Sequence, residues 1–250
     1  MFLDRLFSKK PNNRRIYAIG DIHGRLDCLK EIQARIQHHL NKYPVSDSVL
    51  VYLGDYIDRG PDSKGVIDRL LQKKITNKTV FLKGNHEYAL ELFLNDDLSY
   101  STWCRWGAEA TLSSYGIVPC LPDASEEEVE QMRQQLKGRV ANHKRKFYSK
   151  LKMWHEEGDF LFVHAGLRPG VALKDQYPED LMFIREEFLT QPVTIEKTIV
   201  HGHTIFEKPL VRDKSIGIDT GAYKTGKLTA IVLDQKGCRF LVSSKMAACA

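Results

Sequence analysis

"VLVYLGDYIDRG" occupies residues 49–60, and the reading of its first half decides the fold. Val49, Leu50, Val51, Tyr52 and Leu53 follow one another with no polar residue between them. A short run with no polar face belongs to a strand covered on both sides, whereas a half-exposed strand alternates. Gly54 ends the run, and Asp55, Asp58 and Arg59 follow in a turn-forming segment. The neighbouring chain repeats this grammar. "RIYAIG" (15–20) comes before it and "TVFLKG" (79–84) after it. Leu26, Leu29, Ile32, Ile36 and Leu40 lie between the first two runs at helical spacing. Val66, Ile67, Leu70 and Leu71 follow "PDS" (61–63), which can start a helix, and a third helix passes through Tyr88, Leu92 and Phe93. Such β-α-β units imply an α/β protein with a parallel sheet covered on both faces.

Residues 96–158 break the rhythm and read as a helical insertion. A helix is expected from Trp103 to Ser114, and Ser125 with Glu128 forms a capping-box pattern for another. Strands resume at "DFLFVHAG" (159–166), "KTIVHGHT" (197–204), "SIGIDTG" (215–221), "LTAIVLD" (228–234) and "RFLVSS" (239–244), the last two as a hairpin around Gly237. The organisation expected is a flexible arm over 1–14, then one domain over 15–245 carrying the insertion.

Composition narrows the class. Of 250 residues, 42% are hydrophobic and 28% charged, as in an ordinary globular protein. The net charge of +5 favours acidic or phosphorylated substrates. Short basic runs without interleaved aromatic residues do not make a nucleic-acid track. Five scattered cysteines with no C-x-x-C pair argue against a disulfide framework or zinc ribbon and fit a cytoplasmic protein. No apolar run approaches the roughly 20 residues that span a bilayer, and "MFLDRLFSKK" (1–10) has no secretion-signal h-region.

The strand ends carry the chemistry. They deliver Asp21 and His23, then Asp55, Asp58 and Arg59, then Asn85, His86 and Glu87, then His164, and last His201-Gly202-His203. Ligands of open α/β sheets bind at such carboxyl ends. Each residue has an ordinary turn-forming explanation; the coincidence of five does not. Carboxylates, imidazoles and an amide without thiolates suit Mn²⁺, Fe or Zn²⁺. Asp21 and His23 can reach one ion, Asp55 can bridge two, and Asn85, His164 and one histidine of 201–203 can close the second. Two ions ~3.5–4 Å apart clamp a phosphoryl group for in-line displacement.

"GDIHG" (20–24), "GDYIDRG" (54–60), "GNHE" (84–87), "HAG" (164–166) and "GHT" (202–204) resemble the phosphoprotein phosphatase family of binuclear metallophosphoesterases. "WCRWGAEATLSSYG" (103–116), "FVHAGLRPGVAL" (162–173), "DLMFIREEF" (180–188) and "IDTGAYKTGKLTAIVL" (218–233) extend the resemblance to its bacterial and phage-type branch, which includes symmetrical diadenosine tetraphosphatases. It covers about residues 15 to 235. It implies a calcineurin-like β-sandwich flanked by helices, with a binuclear metal site at the strand ends. It also implies two divalent ions, Mn²⁺ first, held by Asp21, His23 and Asp55 and by Asp55, Asn85, His164 and His203. Arg59, Asn85 and Arg185 would bind substrate phosphate. His86 would be the general acid, oriented by Asp58, and a hydroxide bridging the metals would attack phosphorus.

The resemblance implies a serine/threonine protein phosphatase acting on a phosphorylated protein or other phosphate ester, with the tetraphosphatase as the alternative. "HAG" stands where eukaryotic members have "HGG", which argues against eukaryotic-style regulatory subunits. A metal-dependent nuclease would favour histidine at 205, where this chain has Ile. His201 is expected to pack within its strand, Trp103 and Trp106 to be core, and His38, His39, His143 and His155 to be solvated. Arg185 beside Glu186 and Glu187 has a surface ion pair as its alternative role, and Asp219 and Tyr223 fall near the site.

Overall fold

The computed structural model describes residues 14–121, 123–192 and 194–243. Of the arm expected over 1–14, only Arg14 falls within them, as the first residue of a strand.

Two five-stranded sheets pack face to face. The first is built on β1 (Arg14–Ile19), β2 (Asp47–Tyr52) and β3 (Lys78–Phe81), parallel to one another. β9 (Thr229–Asp234) joins β1 antiparallel, and β10 (Gly237–Val242) closes the expected hairpin beside β9. The second sheet runs β4 (Trp154–Glu157), β5 (Phe160–Val163), β6 (Thr198–His201), β8 (Ser215–Gly217) and β7 (Leu210–Val211). β5, β6 and β8 are parallel, and the two edge strands are antiparallel.

The doubly covered sheet expected from "VLVYL" is present, but its two faces meet different layers. Ile16, Ala18, Val49, Val51 and Leu53 face the other sheet and pack with Phe160, Phe162, Val200 and Ile216. Tyr17, Ile19, Leu50 and Tyr52 point the opposite way, into helices. Those helices are α1 (Leu26–Lys42), α2 (Ser63–Gln72), α3 (Asn85–Asn95), α4 (Tyr100–Cys104), α5 (Ala108–Ser114) and α6 (Glu126–Lys146). The far face of the second sheet is covered by α7 (Pro178–Phe183) and α8 (Glu186–Thr190), through Leu181, Ile184 and Phe188. An apolar strand reports burial on both faces; it does not say whether a sheet or a helix does the covering.

The insertion is mostly helical, with differences at both ends. The helix expected over 103–114 is two pieces, α4 and α5, separated by Arg105, Trp106 and Gly107. Ser125 and Glu128 do form the capping box that starts α6. Residues 154–157, expected inside the insertion, are β4 of the second sheet. Two histidines expected to be solvated are buried. His143 on α6 lies between the Tyr115 hydroxyl (2.7 Å) and Asp68 on α2 (2.9 Å), while His155 on β4 pairs with Glu157 (3.0 Å). A helical polar context hides such partners, because they come from other segments. His38 is exposed as expected; His39 is half-buried, its Nδ1 bonded to the Tyr17 hydroxyl at 2.8 Å.

At the edge remote from the strand ends, ion pairs stitch the sheets together. Arg14 of β1 bonds Asp47 of β2 and Glu157 of β4, and Lys78 of β3 bonds Glu157 at 3.0 Å.

Candidate metal centre

The carboxyl ends of β1, β2, β5 and β6 lie side by side, and the chain turns sharply off each to aim a polar side chain inward. Among the described residues, six other than glycine have positive φ, and five of them are His23, Asp55, Asp58, Arg59 and His203. Each such conformation costs on the order of 1–3 kcal/mol, and such strain concentrates where function demands it. Two glycines admit the resulting carboxylates. A Cβ on Gly84 would fall 2.1 Å from Asp55 Oδ1, and one on Gly202 would fall 2.1 Å from Asp21 Oδ1.

Two groups of side chains come within reach of one ion each: His23, Asp55 and His86, and Asp55, His164 and His203. All are buried, and Asp55 belongs to both. Its Oδ2 lies 3.5 Å from His23 Nε2 and its Oδ1 lies 3.4 Å from His164 Nε2, so its two oxygens face opposite sides. Asn85 joins the second group, with Oδ1 3.0 Å from His164 Nε2. Asp21 falls outside both groups; its carboxylate accepts the His203 backbone N–H at 3.0 and 3.2 Å.

Hydrogen-bond polarity tests the fit to a cation. His23 Nδ1 lies 2.9 Å from the Ile57 carbonyl and His164 Nδ1 lies 2.8 Å from the Leu53 carbonyl. A carbonyl only accepts, so each Nδ1 carries the hydrogen and each Nε2 turns its lone pair toward Asp55. Metal-bound histidines are oriented by this same backbone contact. The lone pairs of His23 and His164 thus converge on the Asp55 oxygens with no imidazole proton between them, and Arg59 Nη1 donates to His23 Nε2. The buried Nε2 of His203 has no hydrogen-bond partner at all. This donor set fits a pair of divalent cations.

Protonation agrees. Burial pushes His23 well below the ordinary imidazole range, with His86 adding to the shift. Burial lowers His164, and burial with His164 nearby brings His203 down to about 2. Burial alone would raise Asp55, but His164, His86, His23 and His203 outweigh it and hold this carboxyl far below its usual range. Neutral imidazoles and an ionised carboxylate are the forms that bind metal. Asp21 is raised by burial and by its neighbours Asp219 and Asp55, and burial brings Asp219 up to about 6. Crowded buried carboxylates are a charge deficit that a cation relieves.

His86 faces the same space from α3. Its Nδ1 is 2.7 Å from Asp58 Oδ2, while its Nε2 is buried without a partner. Burial would lower its pKa, but Asp55 and the Asp58 hydrogen bond outweigh that and raise it. Asp58 also accepts from Trp103 Nε1 at 2.9 Å and Thr111 Oγ1 at 2.5 Å. Glu87 braces the opposite side, accepting the backbone N–H groups of Asp55 (2.9 Å), Tyr56 (2.8 Å) and Gly84 (3.0 Å).

Two guanidiniums flank the cluster. Arg59 is exposed, with Nη1 3.0 Å from His23 Nε2 and its plane 4.7 Å from the Tyr223 ring. Arg185 is exposed at the start of α8, and its Nη1 donates to the His203 carbonyl at 3.2 Å. The ion pair on that surface joins Glu187 to Arg168 instead. His201 stays outside the cluster: its ring packs 5.0 Å from Phe188 and 6.3 Å from Phe206.

Sequence reasoning placed Glu87 at a strand end without giving it a role, and it missed Thr111 and the indole N–H of Trp103. Glu87 carried a signal, as the third residue after a strand-ending glycine where a helix starts. Trp103 was expected in the core and is there, fully buried; its donor role shows only in three dimensions.

Residues 14–215 match the model of the calcineurin-like phosphoesterases. The chain belongs to this family. It is therefore a hydrolase of phosphoester bonds whose family works with a divalent metal pair. It is 26% identical to an asymmetrical bis(5'-nucleosyl)-tetraphosphatase of Anoxybacillus flavithermus, over 85% of this chain and 88% of that one. It is 27% identical to serine/threonine-protein phosphatase 2 of Escherichia coli, over 86% and 91%. A solved structure provisionally described as a diadenosine tetraphosphatase superposes with a TM-score of 0.59 at 22% identity, covering 94% of this chain and 96% of that chain. Among the described residues, no helix is long and apolar enough to cross a membrane.

Proposed function

We propose that this calcineurin-like phosphoesterase removes phosphate from phosphoserine and phosphothreonine in proteins. The observation that supports this most is a contrast in exposure. The groups that would hold metal are buried, whereas Arg59 and Arg185 stand exposed on either side of them. A phosphate on a protein segment can meet both guanidiniums without the rest of the substrate entering a closed pocket, and planar guanidiniums suit phosphate oxygens.

In this reading Asp21, His23 and Asp55 hold one ion and Asp55, Asn85, His164 and His203 the other. Mn²⁺ is the first choice for these oxygen and imidazole donors. A bound pair supplies a water nucleophile at neutral pH and positive charge facing the transferring phosphoryl group. Arg59, Arg185 and the Asn85 amide position the phosphate oxygens. His86, protonated on both ring nitrogens, delivers its Nε2 proton to the departing oxygen, and Asp58 holds the Nδ1–H that remains.

A second reading is favoured by the tetraphosphatase among the relatives: hydrolysis of a dinucleoside polyphosphate with the same residues. Metal-stripped protein resupplied with Mn²⁺ separates the two through kcat/KM for a phosphoserine peptide and for diadenosine tetraphosphate. Preference for the peptide is expected. Preference for the dinucleotide by several orders of magnitude overturns the first reading and establishes the second.

A further inference from the structure

Asp58 makes more hydrogen bonds than are needed to orient one histidine, and their polarity is fixed. It is fully buried and has a left-handed backbone, φ 68°. Its Oδ2 receives His86 Nδ1 at 2.7 Å and Trp103 Nε1 at 2.9 Å, and its Oδ1 receives Thr111 Oγ1 at 2.5 Å. Its backbone N–H donates to Thr111 Oγ1 at 2.9 Å and to Ser63 Oγ at 3.1 Å. Thr111 therefore grips Asp58 at both ends, accepting from its amide and donating to its carboxylate. On the next residue, Arg59 N–H donates to the Gly107 carbonyl at 3.1 Å. Trp103 lies on α4, Thr111 on α5 and Gly107 between them. All three belong to the helical insertion, none of whose residues was expected at the site.

An indole N–H can only donate, and a hydroxyl has one proton to give. Trp103 thus makes Oδ2 an acceptor, and Thr111 does the same for Oδ1. A carboxylate whose oxygens both accept takes the third contact as an acceptor as well, so His86 Nδ1–H donates to Asp58. That leaves Nε2 aimed into the centre, where it has no protein partner. We propose that Trp103 and Thr111 are positioning residues. They lock Asp58 as an acceptor and thereby fix the tautomer and ring orientation of His86. The α4–α5 pair is then part of the catalytic apparatus instead of a cover over the sheet. This inference rests on His86 as the proton donor, and the test separates the two claims.

Trp103→Phe keeps an aromatic ring and deletes the N–H; Thr111→Val is nearly isosteric and deletes the hydroxyl. Both are assayed as Mn²⁺-loaded full-length protein on an alkyl phosphate (a phosphoserine peptide) and an aryl phosphate (p-nitrophenyl phosphate). The aryl oxide leaves without help from an acid. General acids contribute roughly 10²–10⁴-fold, so misplacing one should cost on the order of tenfold in kcat on the alkyl ester and under about threefold on the aryl ester, with KM little changed. Thr111→Ser should recover most of the Thr111→Val loss. In ¹⁵N-histidine NMR of the metal-free protein, at a pH where His86 is neutral, it should be Nδ1-protonated in the parent and a mixture of tautomers in the two deletion variants.

Equal losses on both esters, with the His86 tautomer retained, would reduce Trp103 and Thr111 to packing and overturn the proposal. His86→Asn is run in parallel. If it slows both esters equally, the acid role fails, while the NMR tautomer still decides whether the lock exists.

Discussion

The two sheets contribute to the centre in different ways. From the first come Asp21, His23, Asp55, Asp58, Asn85 and His86, within three consecutive strand-to-helix turns. These turns are held by a dense set of contacts: Glu87 on three amides, Thr111 and Ser63 on Asp58, and the Ile57 carbonyl on the His23 ring. The second sheet contributes His164 and His203, far apart in the chain. His164 leans back on the Leu53 carbonyl and His203 on the Asp21 carboxylate, both from the first sheet. One side is thus a preassembled frame and the other a pair of imidazoles docked onto it. Asp55 is where they meet.

Breaking the meeting point should cost most. Asp55→Ala is expected to abolish binding of both ions, read as metal per protein by elemental analysis. Activity should fall by more than the roughly 10–100-fold typical of losing a ligand's supporting hydrogen bond. The parent should gain about 2.7 kcal/mol of stability for each ion at a Mn²⁺ concentration 100 times Kd, and the variant little. Retention of one ion would show that the frame holds metal without the bridge. His203→Ala comes next: one ion per protein should remain and nearly all turnover should be lost. Its neighbour gives the smallest effect. His201→Ala should keep two ions and most activity, while losing about 1–3 kcal/mol of stability measured in urea, as buried side-chain truncations commonly do. Equal metal loss from the two histidine variants would erase the distinction between ligand and packing residue.

The frame was legible in the sequence and the docking was not, for a physical reason. In the first sheet an apolar strand, a glycine and the polar residues after it are contiguous, so "GDIHG", "GDYIDRG" and "GNHE" declare both the strand end and its cargo. His164 and His203 were found as strand-end residues, but nothing local shows that the His164 ring and the His203 backbone N–H lean on the other sheet. The same limit applies to Trp103 and Thr111, which reach Asp58 across 45 and 53 residues. Spacing classed Trp103 as core, and it is; an indole can pack on its faces and donate from its edge. Strand β4 escaped because "WHEE" (154–157) carries three polar residues, acceptable at a sheet edge where ion pairs replace apolar contacts.

The ion-pair stitch through Arg14, Asp47, Lys78 and Glu157 binds the two sheets at the end remote from the strand termini. At the opposite end the sheets meet through hydrogen bonds from His164 Nδ1 to the Leu53 carbonyl and from the His203 N–H to Asp21, around lone pairs and carboxylates that repel until positive charge arrives. A cation lodged among Asp55, His164 and His203 would therefore cross-link residues more than a hundred positions apart. Loading the reagent and fastening the sandwich become one event, and a chelator would remove a cross-link as well as stop a reaction.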